Sequence, residues 1–144
     1  MAFTPANTDS TASFARLEEI VATLRGEHGC PWDIKQTPAS LQKYLREECQ
    51  ELIEAIDKNE AKEVCEEIGD VLFTLAMLIA IYAERELFTS SDVFSGIVAK
   101  MIRRHPHVFG DVQLTDADAL RAQWQRIKEQ EKNPSPPPGD ELFS

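Results

Sequence analysis

An all-α helical bundle is the fold this sequence predicts, on three observations. Apolar residues recur at helical spacing in nearly every segment. No segment alternates with the two-residue period of a strand. Residues that start or stop helices punctuate the chain at the boundaries the periodicity implies. The expectation is about five helices in one all-α domain over residues 13–132, with a flexible N-terminus at 1–12 and a Pro-rich, disordered tail at 133–144.

The first helix is expected from about Ser13 to His28, where Phe14, Leu17, Ile20, Val21 and Leu24 form one apolar stripe. Gly29-Cys30-Pro31-Trp32-Asp33 breaks the pattern and reads as a connector. Thr37-Pro38 starts the second helix, since Thr caps and Pro fits the first turn, and the pattern continues to about Asp57. A third helix covers about Glu60 to Glu86 and becomes apolar all round in its second half, which asks for burial in a core or a subunit interface. Ser90-Ser91-Asp92 opens a fourth helix that ends before Pro106, and Thr115 caps a fifth that ends near Lys132.

Composition bounds the function. At 144 residues, 42% hydrophobic and 28% charged, the chain is an ordinary soluble globular protein in composition. A net charge of −10 argues against nucleic acid or an anionic membrane as a partner, whereas an anionic substrate remains compatible if metal ions mask the acids. Cys30, Cys49 and Cys65 are odd in number and widely spaced, which indicates neither a disulfide framework nor a zinc knuckle. Cys49 and Cys65 fall on apolar helix faces and read as buried free thiols. The first ten residues lack a signal-peptide pattern, and Val71 to Ala83 is too short to span a bilayer, so a cytoplasmic location is expected.

The informative feature is a set of carboxylates. Glu48 and Glu51 on the second helix, and Glu67 and Asp70 on the third, are both i, i+3 pairs, so each pair projects from one side of its helix. The bland interpretation is a solvated acidic face, and a helical wheel opposes it. Glu48 falls inside the apolar arc of Tyr44, Leu41, Leu52, Leu45, Ile56 and Cys49, with Glu51 at its edge and Glu47 outside. Glu67 borders the face of Val64, Val71 and Leu78, and Asp70 stacks over Thr74 and Met77. Two carboxylates about 5 Å apart repel by roughly 3 kcal/mol at an effective dielectric of about 20. Such a cluster must take up protons or hold a cation. Oxygen-only ligands favour a hard ion, Mg²⁺ with Mn²⁺ as substitute, and Mg²⁺ in turn favours a phosphorylated substrate. A di-iron carboxylate bundle would use Glu-x-x-His, and His28, His105 and His107 all lie outside the second and third helices.

With these residues in view, the sequence resembles the MazG family of all-helical nucleoside triphosphate pyrophosphohydrolases. The resemblance rests on Glu47, Glu48 and Glu51 followed by Glu67 and Asp70, on Cys30-Pro31-Trp32-Asp33 with Gln36-Thr37, on Arg103-Arg104-His105-Pro106-His107-Val108-Phe109, and on Trp124 with Lys128. It covers roughly residues 14–132. The chain carries a single repeat, similar to the first repeat of two-repeat members. The resemblance implies Glu48, Glu51, Glu67 and Asp70 as Mg²⁺ ligands and a homodimer built around a four-helix core, with tetramers as a further level of assembly. The implied reaction is attack of water on the α-phosphorus of a nucleoside triphosphate, releasing monophosphate and pyrophosphate, in a nucleotide house-cleaning role. Glu47 is the candidate to orient the water, although the wheel points it outward. The alternative is a catalytically weak nucleotide-binding or regulatory module of the same fold.

Basic and aromatic residues complete the candidate site. Lys100 and Arg103 share one face of the fourth helix with Arg104 and are candidates to grip the triphosphate, against the simpler role of complementing a helix C-terminus. Trp124 and Lys128 share a face of the fifth helix, suited to a base and a phosphate, although Trp124 also lies on a core stripe with Leu120 and Ile127. Trp32 is expected to anchor the connector by packing. Pro106 between His105 and His107 points to a packed segment and not to a metal pair.

Overall fold

The computed structural model describes residues 11–134. Its elements are α1 (Phe14–Arg25), α2 (Pro31–Lys35), α3 (Pro38–Lys58), α4 (Ala61–Glu84), α5 (Ser90–Arg104), α6 (Pro106–Phe109) and α7 (Ala117–Lys132). No strand occurs among the described residues, in keeping with the all-α expectation. Among the described residues seven helices stand where about five are expected from periodicity. The additions, α2 and α6, each open on a proline, Pro31 and Pro106, whose fixed φ suits a first helical turn. Both are too short to leave a periodic signal, so the sequence reads them as a connector and a helix end. The expectations for residues 1–10 and 135–144 lie outside the described residues. The chain divides into two compact units, one through Ser90 and one from Ser91.

In the first unit, α3 packs along α4 while α1 packs against α4 and α2. The core is Val21, Leu41, Ala76, Met77 and Ile81, ringed by Phe14, Leu17, Tyr44, Phe73 and Leu78. Local chemistry sets the helix ends. Ser13 accepts a hydrogen bond from the Arg16 amide (3.1 Å) and starts α1. Thr37 and Ser40 form a reciprocal capping box, at 3.1 and 2.9 Å, and Pro38 follows the cap. α1 stops at Arg25, three residues before the sequence expectation, because the chain turns sharply through Gly26 to Gly29. His28 is left-handed (φ 63°) and the Cys30 amide returns to the Leu24 carbonyl at 2.8 Å. A Cβ at Gly29 would run into that Leu24 carbonyl, so glycine is required there.

Between α3 and α4 the connection is only Asn59 and Glu60. Asn59 takes the left-handed conformation (φ 56°, ψ 35°) and donates its amide to Ile56 O at 3.0 Å, ending α3. So short a link makes the two helices antiparallel neighbours. The apolar faces are only partly covered. On α4, Thr74, Ala76, Met77 and Ile81 are buried, while Ile68, Leu72 and Leu75 stay exposed at 46%, 39% and 37%. Two expectations are corrected on this surface. Ile56, read as part of the α3 apolar face, is exposed, and so is Cys65, read as a buried thiol. Both lie on the flank of the hairpin that α1 does not cover.

In the second unit Glu131 of α7 ties the end of α5, accepting from Arg103 Nε at 2.7 Å and Arg104 Nη2 at 3.0 Å. The two guanidinium groups hold the Glu131 carboxyl at about 2, well below the usual carboxylate range. α7 is capped by Asp116, which accepts from the Asp118 amide at 3.2 Å, and not by the expected Thr115. A carboxylate is the stronger acceptor and also complements the positive end of the helix dipole.

The Asn59 turn yields a direct test. Asn59→Gly should leave stability nearly unchanged, whereas Asn59→Val should cost about 1–2 kcal/mol for a bulky side chain in the left-handed region. Chemical denaturation of both variants measures this, and equal stability of the two would remove the turn from its proposed importance.

Candidate metal centre

The turn sets where the acids fall. Glu51 lies eight residues before Asn59 and Glu67 eight after; Glu48 lies eleven before and Asp70 eleven after. In an antiparallel hairpin, positions equidistant from the turn face each other, so each acid of α3 meets a counterpart on α4. One carboxylate oxygen from each of Glu48, Glu51, Glu67 and Asp70 lies within 4.8 Å of the others. The four acids singled out in the sequence thus converge at one point.

Their environments are unequal. Glu48 and Glu67 are half-buried, and one oxygen of each, Oε2, is fully buried without a hydrogen-bond partner. Glu51, expected at the edge of the apolar arc, is exposed, as is Asp70, so one member of each pair is partly shielded and the other is open to solvent. Burial first, then repulsion from Glu51 and Asp70, pushes the Glu48 carboxyl above its ordinary range. The same causes in the same order raise Glu67, and Glu66 adds to them. Partnerless buried oxygens on mutually repelling acids are what a bound cation would satisfy. The all-oxygen donor set suits a hard divalent ion such as Mg²⁺ or Mn²⁺.

A small cleft of about 90 Å³ opens beside the cluster, lined by Trp32, Leu41, Tyr44, Glu48, Asp70, Phe73, Thr74 and Met77. Tyr44 and Glu48 are one turn apart on α3, as Asp70 and Thr74 are on α4. Trp32 meets Tyr44 edge to face, with ring centroids 5.2 Å apart. It packs as expected, yet it also remains 44% exposed at the rim.

Other candidate residues are placed differently. Glu47 is exposed and lies 3.8 Å from Lys43 Nζ, outside the cluster. Lys100, Arg103, Trp124 and Lys128 all belong to the second unit. There Arg103 is engaged by Glu131, and Trp124 packs between the Arg104 guanidinium (5.1 Å) and the His105 ring (5.2 Å). His105 Nδ1 donates to Met101 O at 2.6 Å, and the Gln123 amide donates to His107 Nδ1 at 3.2 Å, so both histidines are packed on their own unit. Arg25 is the residue that sequence reasoning missed. Its side chain is 9% exposed and binds Glu84 and the backbone of α2. As the last residue of α1 it reads as an ordinary C-terminal cation; only its nearness to Gly29 and to the Pro31 turn hints at more.

Against this geometry, the sequence model of the MazG nucleotide pyrophosphohydrolase domain matches residues 36–109, just over half of the chain. The chain belongs to the MazG family. The matched span includes all four clustered acids and leaves Arg25, Trp32, Trp124 and Lys128 outside it. The chain is 48% identical over 119 residues to the nucleoside triphosphate pyrophosphohydrolase/pyrophosphatase MazG of Thermotoga maritima, covering 83% of this chain and 45% of that one. It is 36% identical over 118 residues to the nucleoside triphosphate pyrophosphohydrolase of Escherichia coli, with 81% and 45% covered. It is also 48% identical over 122 residues to the uncharacterized protein YabN of Bacillus subtilis, with 85% and 25% covered. The chain therefore spans a quarter to about half the length of these relatives. Among solved structures, a crystal structure of a mazG-related protein from Thermotoga maritima superposes with a TM-score of 0.67 at 28% identity, covering 80% of this chain and 98% of that one. No helix among the described residues is long and apolar enough to cross a membrane.

The raised carboxyls give a pH signature. In metal-free protein, folded Glu48 and Glu67 keep protons that the unfolded chain has already released. The stability they contribute is complete below the ordinary value of 4.5 and is lost as pH rises through the raised values. With EDTA present, the thermal midpoint should decline as pH climbs from that value toward neutrality. Mg²⁺ or Mn²⁺ should reverse the decline, and Glu48→Gln should flatten it. A metal-free midpoint insensitive to pH over this range would contradict the repulsion described.

Proposed function

We propose that this chain hydrolyses nucleoside triphosphates to monophosphate and pyrophosphate in a divalent-metal-dependent reaction, with Glu48, Glu51, Glu67 and Asp70 as the metal ligands. The observation that carries this reading is the convergence of four acids from two helices, two of which hold a buried oxygen without a partner. The relatives named as nucleoside triphosphate pyrophosphohydrolases align over most of this chain and support the choice of substrate class.

When bound, Mg²⁺ would lower the pKa of a coordinated water and neutralise phosphate charge, and Mn²⁺ would substitute for it. The chain's own part is to hold the four carboxylates in place before substrate arrives. Glu48 and Glu67, shielded on one side by the helices, would keep their oxygens aimed inward, while the exposed Glu51 and Asp70 would face the incoming triphosphate. Glu47, whose carboxylate lies 3.8 Å from Lys43 Nζ on the exposed side of α3, would orient the attacking water from outside the cluster. In the second unit, Lys100 and Arg103 are proposed to contact phosphate, and Trp124 with Lys128 to contact base and phosphate.

A homodimer is part of the same reading. Ile68, Leu72 and Leu75 follow helical spacing along α4, and Ile53 and Ile56 do so on α3, all of them exposed. A second copy of the hairpin would cover them and complete a four-helix core. The physiological role we attach is removal of unwanted or surplus nucleotides.

The test is release of pyrophosphate from a panel of nucleoside triphosphates with and without Mg²⁺. Metal-dependent release of pyrophosphate and monophosphate is expected, and Glu48→Gln should lower kcat by at least about 100-fold in a protein that stays folded. Orthophosphate with diphosphate as products would overturn the bond assignment. Full activity in folded Glu48→Gln would overturn the ligand set.

A further inference from the structure

We propose that Arg25 is a positioning residue for the substrate side of the acid cluster: it fixes α2, and with it Trp32, as one wall of the cleft that opens onto Glu48 and Asp70. The proposal rests on the nucleotide-hydrolysing reading above and adds a residue that touches neither metal ligands nor substrate.

Arg25 spreads its whole guanidinium fork over the first unit. Nε and Nη2 pair with the two carboxylate oxygens of Glu84 at 2.8 and 2.9 Å, which holds the Glu84 carboxyl below its ordinary range. Nη1 donates to Asp33 O at 2.6 Å and to Gln36 O at 3.3 Å. These carbonyls lie at the C-terminal end of α2, where helix carbonyls lack partners within the helix. Thus one side chain from the end of α1 bolts α2 to the end of α4.

The bolt matters because α2 has no independent stability. Five residues are far below the length at which a helix holds in water. Its position depends on its attachments: packing against α1, the Arg25 bonds, the bond from the Ser40 hydroxyl to Gln36 Oε1 at 2.7 Å, and the contact of Trp32 with Tyr44. Trp32 is the part of α2 that reaches the cleft. At about 90 Å³ the cleft admits a few waters and no nucleotide. A triphosphate held at the acids must therefore run out past the rim, where Trp32 stands half-exposed. Release of Arg25 would loosen that rim and leave the four carboxylates, which sit on α3 and α4, in place. Lysine is no substitute, because a single ammonium lacks the planar fork that serves Glu84 and two carbonyls together.

The experiment combines Arg25→Ala and Arg25→Lys with Trp32→Ala, on the full chain. Three quantities are read: Mn²⁺ affinity, KM against kcat for the best nucleotide of the panel, and acrylamide quenching of Trp32 in a Trp124→Phe background that leaves it the sole tryptophan. Arg25→Ala should raise KM about ten-fold or more, with Mn²⁺ affinity unchanged and Trp32 more readily quenched. Arg25→Lys should recover only part of the loss. In a Trp32→Ala background, Arg25→Ala should raise KM no further, because both changes remove the same wall. Additive KM effects, or quenching of Trp32 unaltered by Arg25→Ala, would overturn the proposal. Should Arg25→Ala fail to fold, Glu84→Gln, which removes only the anchor's charge, must shift quenching and KM in the same direction, and no shift overturns it. If the wild-type chain turns over no nucleotide, the hydrolase reading fails, and the quenching comparison alone decides whether Arg25 holds Trp32.

Discussion

Four acids that repel one another must be forced together, and in this chain the force is covalent. The left-handed residue Asn59 closes α3 onto α4 through a two-residue link, and the acids stand at matched distances on either side of it. Packing then removes the escape routes. Leu41, Met77 and Ile81 lock the hairpin against α1, so the helices cannot slide or splay to relieve the charge. The residual strain is electrostatic, and it is expressed in the two buried, partnerless oxygens of Glu48 and Glu67. A cluster that is unfavourable when empty would be favourable to fill, and this small helical unit assembles it from two helices without any dedicated loop.

Around this hairpin the first unit is held by contacts of a different kind. α1 contributes Val21 to the core and Arg25 to its edge. The guanidinium is nearly buried yet has a bidentate carboxylate and two carbonyls as partners, so its charge and donors are satisfied. The tight turn at Gly26 to Gly29 makes this reach feasible by folding the start of α2 back toward the helix that precedes it. Neutral packing and a compensated charge thus enclose the uncompensated acids on one side and leave them open on the other.

Much of this is legible in the sequence, and the limits are physical. The long helices are readable because their apolar periodicity and caps, Ser13 and Thr37 among them, are local signals. The four acids are readable because Glu48 and its counterparts violate that periodicity. Helices α2 and α6 escape a reading by periodicity because a single turn has no period. The cap of α7 falls on Asp116 and not on Thr115 because neighbouring polar residues compete and only geometry chooses between them. The wheel gives angle and not depth, so it does not separate the half-buried Glu48 and Glu67 from Glu51 and Asp70, which lie on the same side at the surface. Ile56 and Cys65 mislead for a related reason, because an apolar face does not say whether the same chain covers it. Arg25 is invisible because its partners Glu84 and Asp33 are joined to it only by the tertiary fold.

The matched spacing of the acids about Asn59 has one more consequence, for how such a chain can change over time. Each residue added to α3 after Glu51, or to α4 before Glu67, rotates the acids beyond it by about 100° about that helix axis. Point substitutions on these helices can be absorbed one by one, but a one-residue insertion or deletion in the helical turns between Glu51 and Glu67 swings one pair of acids away from the other in a single event. The number of helical residues on each side of Asn59 is therefore the quantity that natural variation should hold fixed. Those turns serve as the ruler against which both halves of the acid cluster are measured.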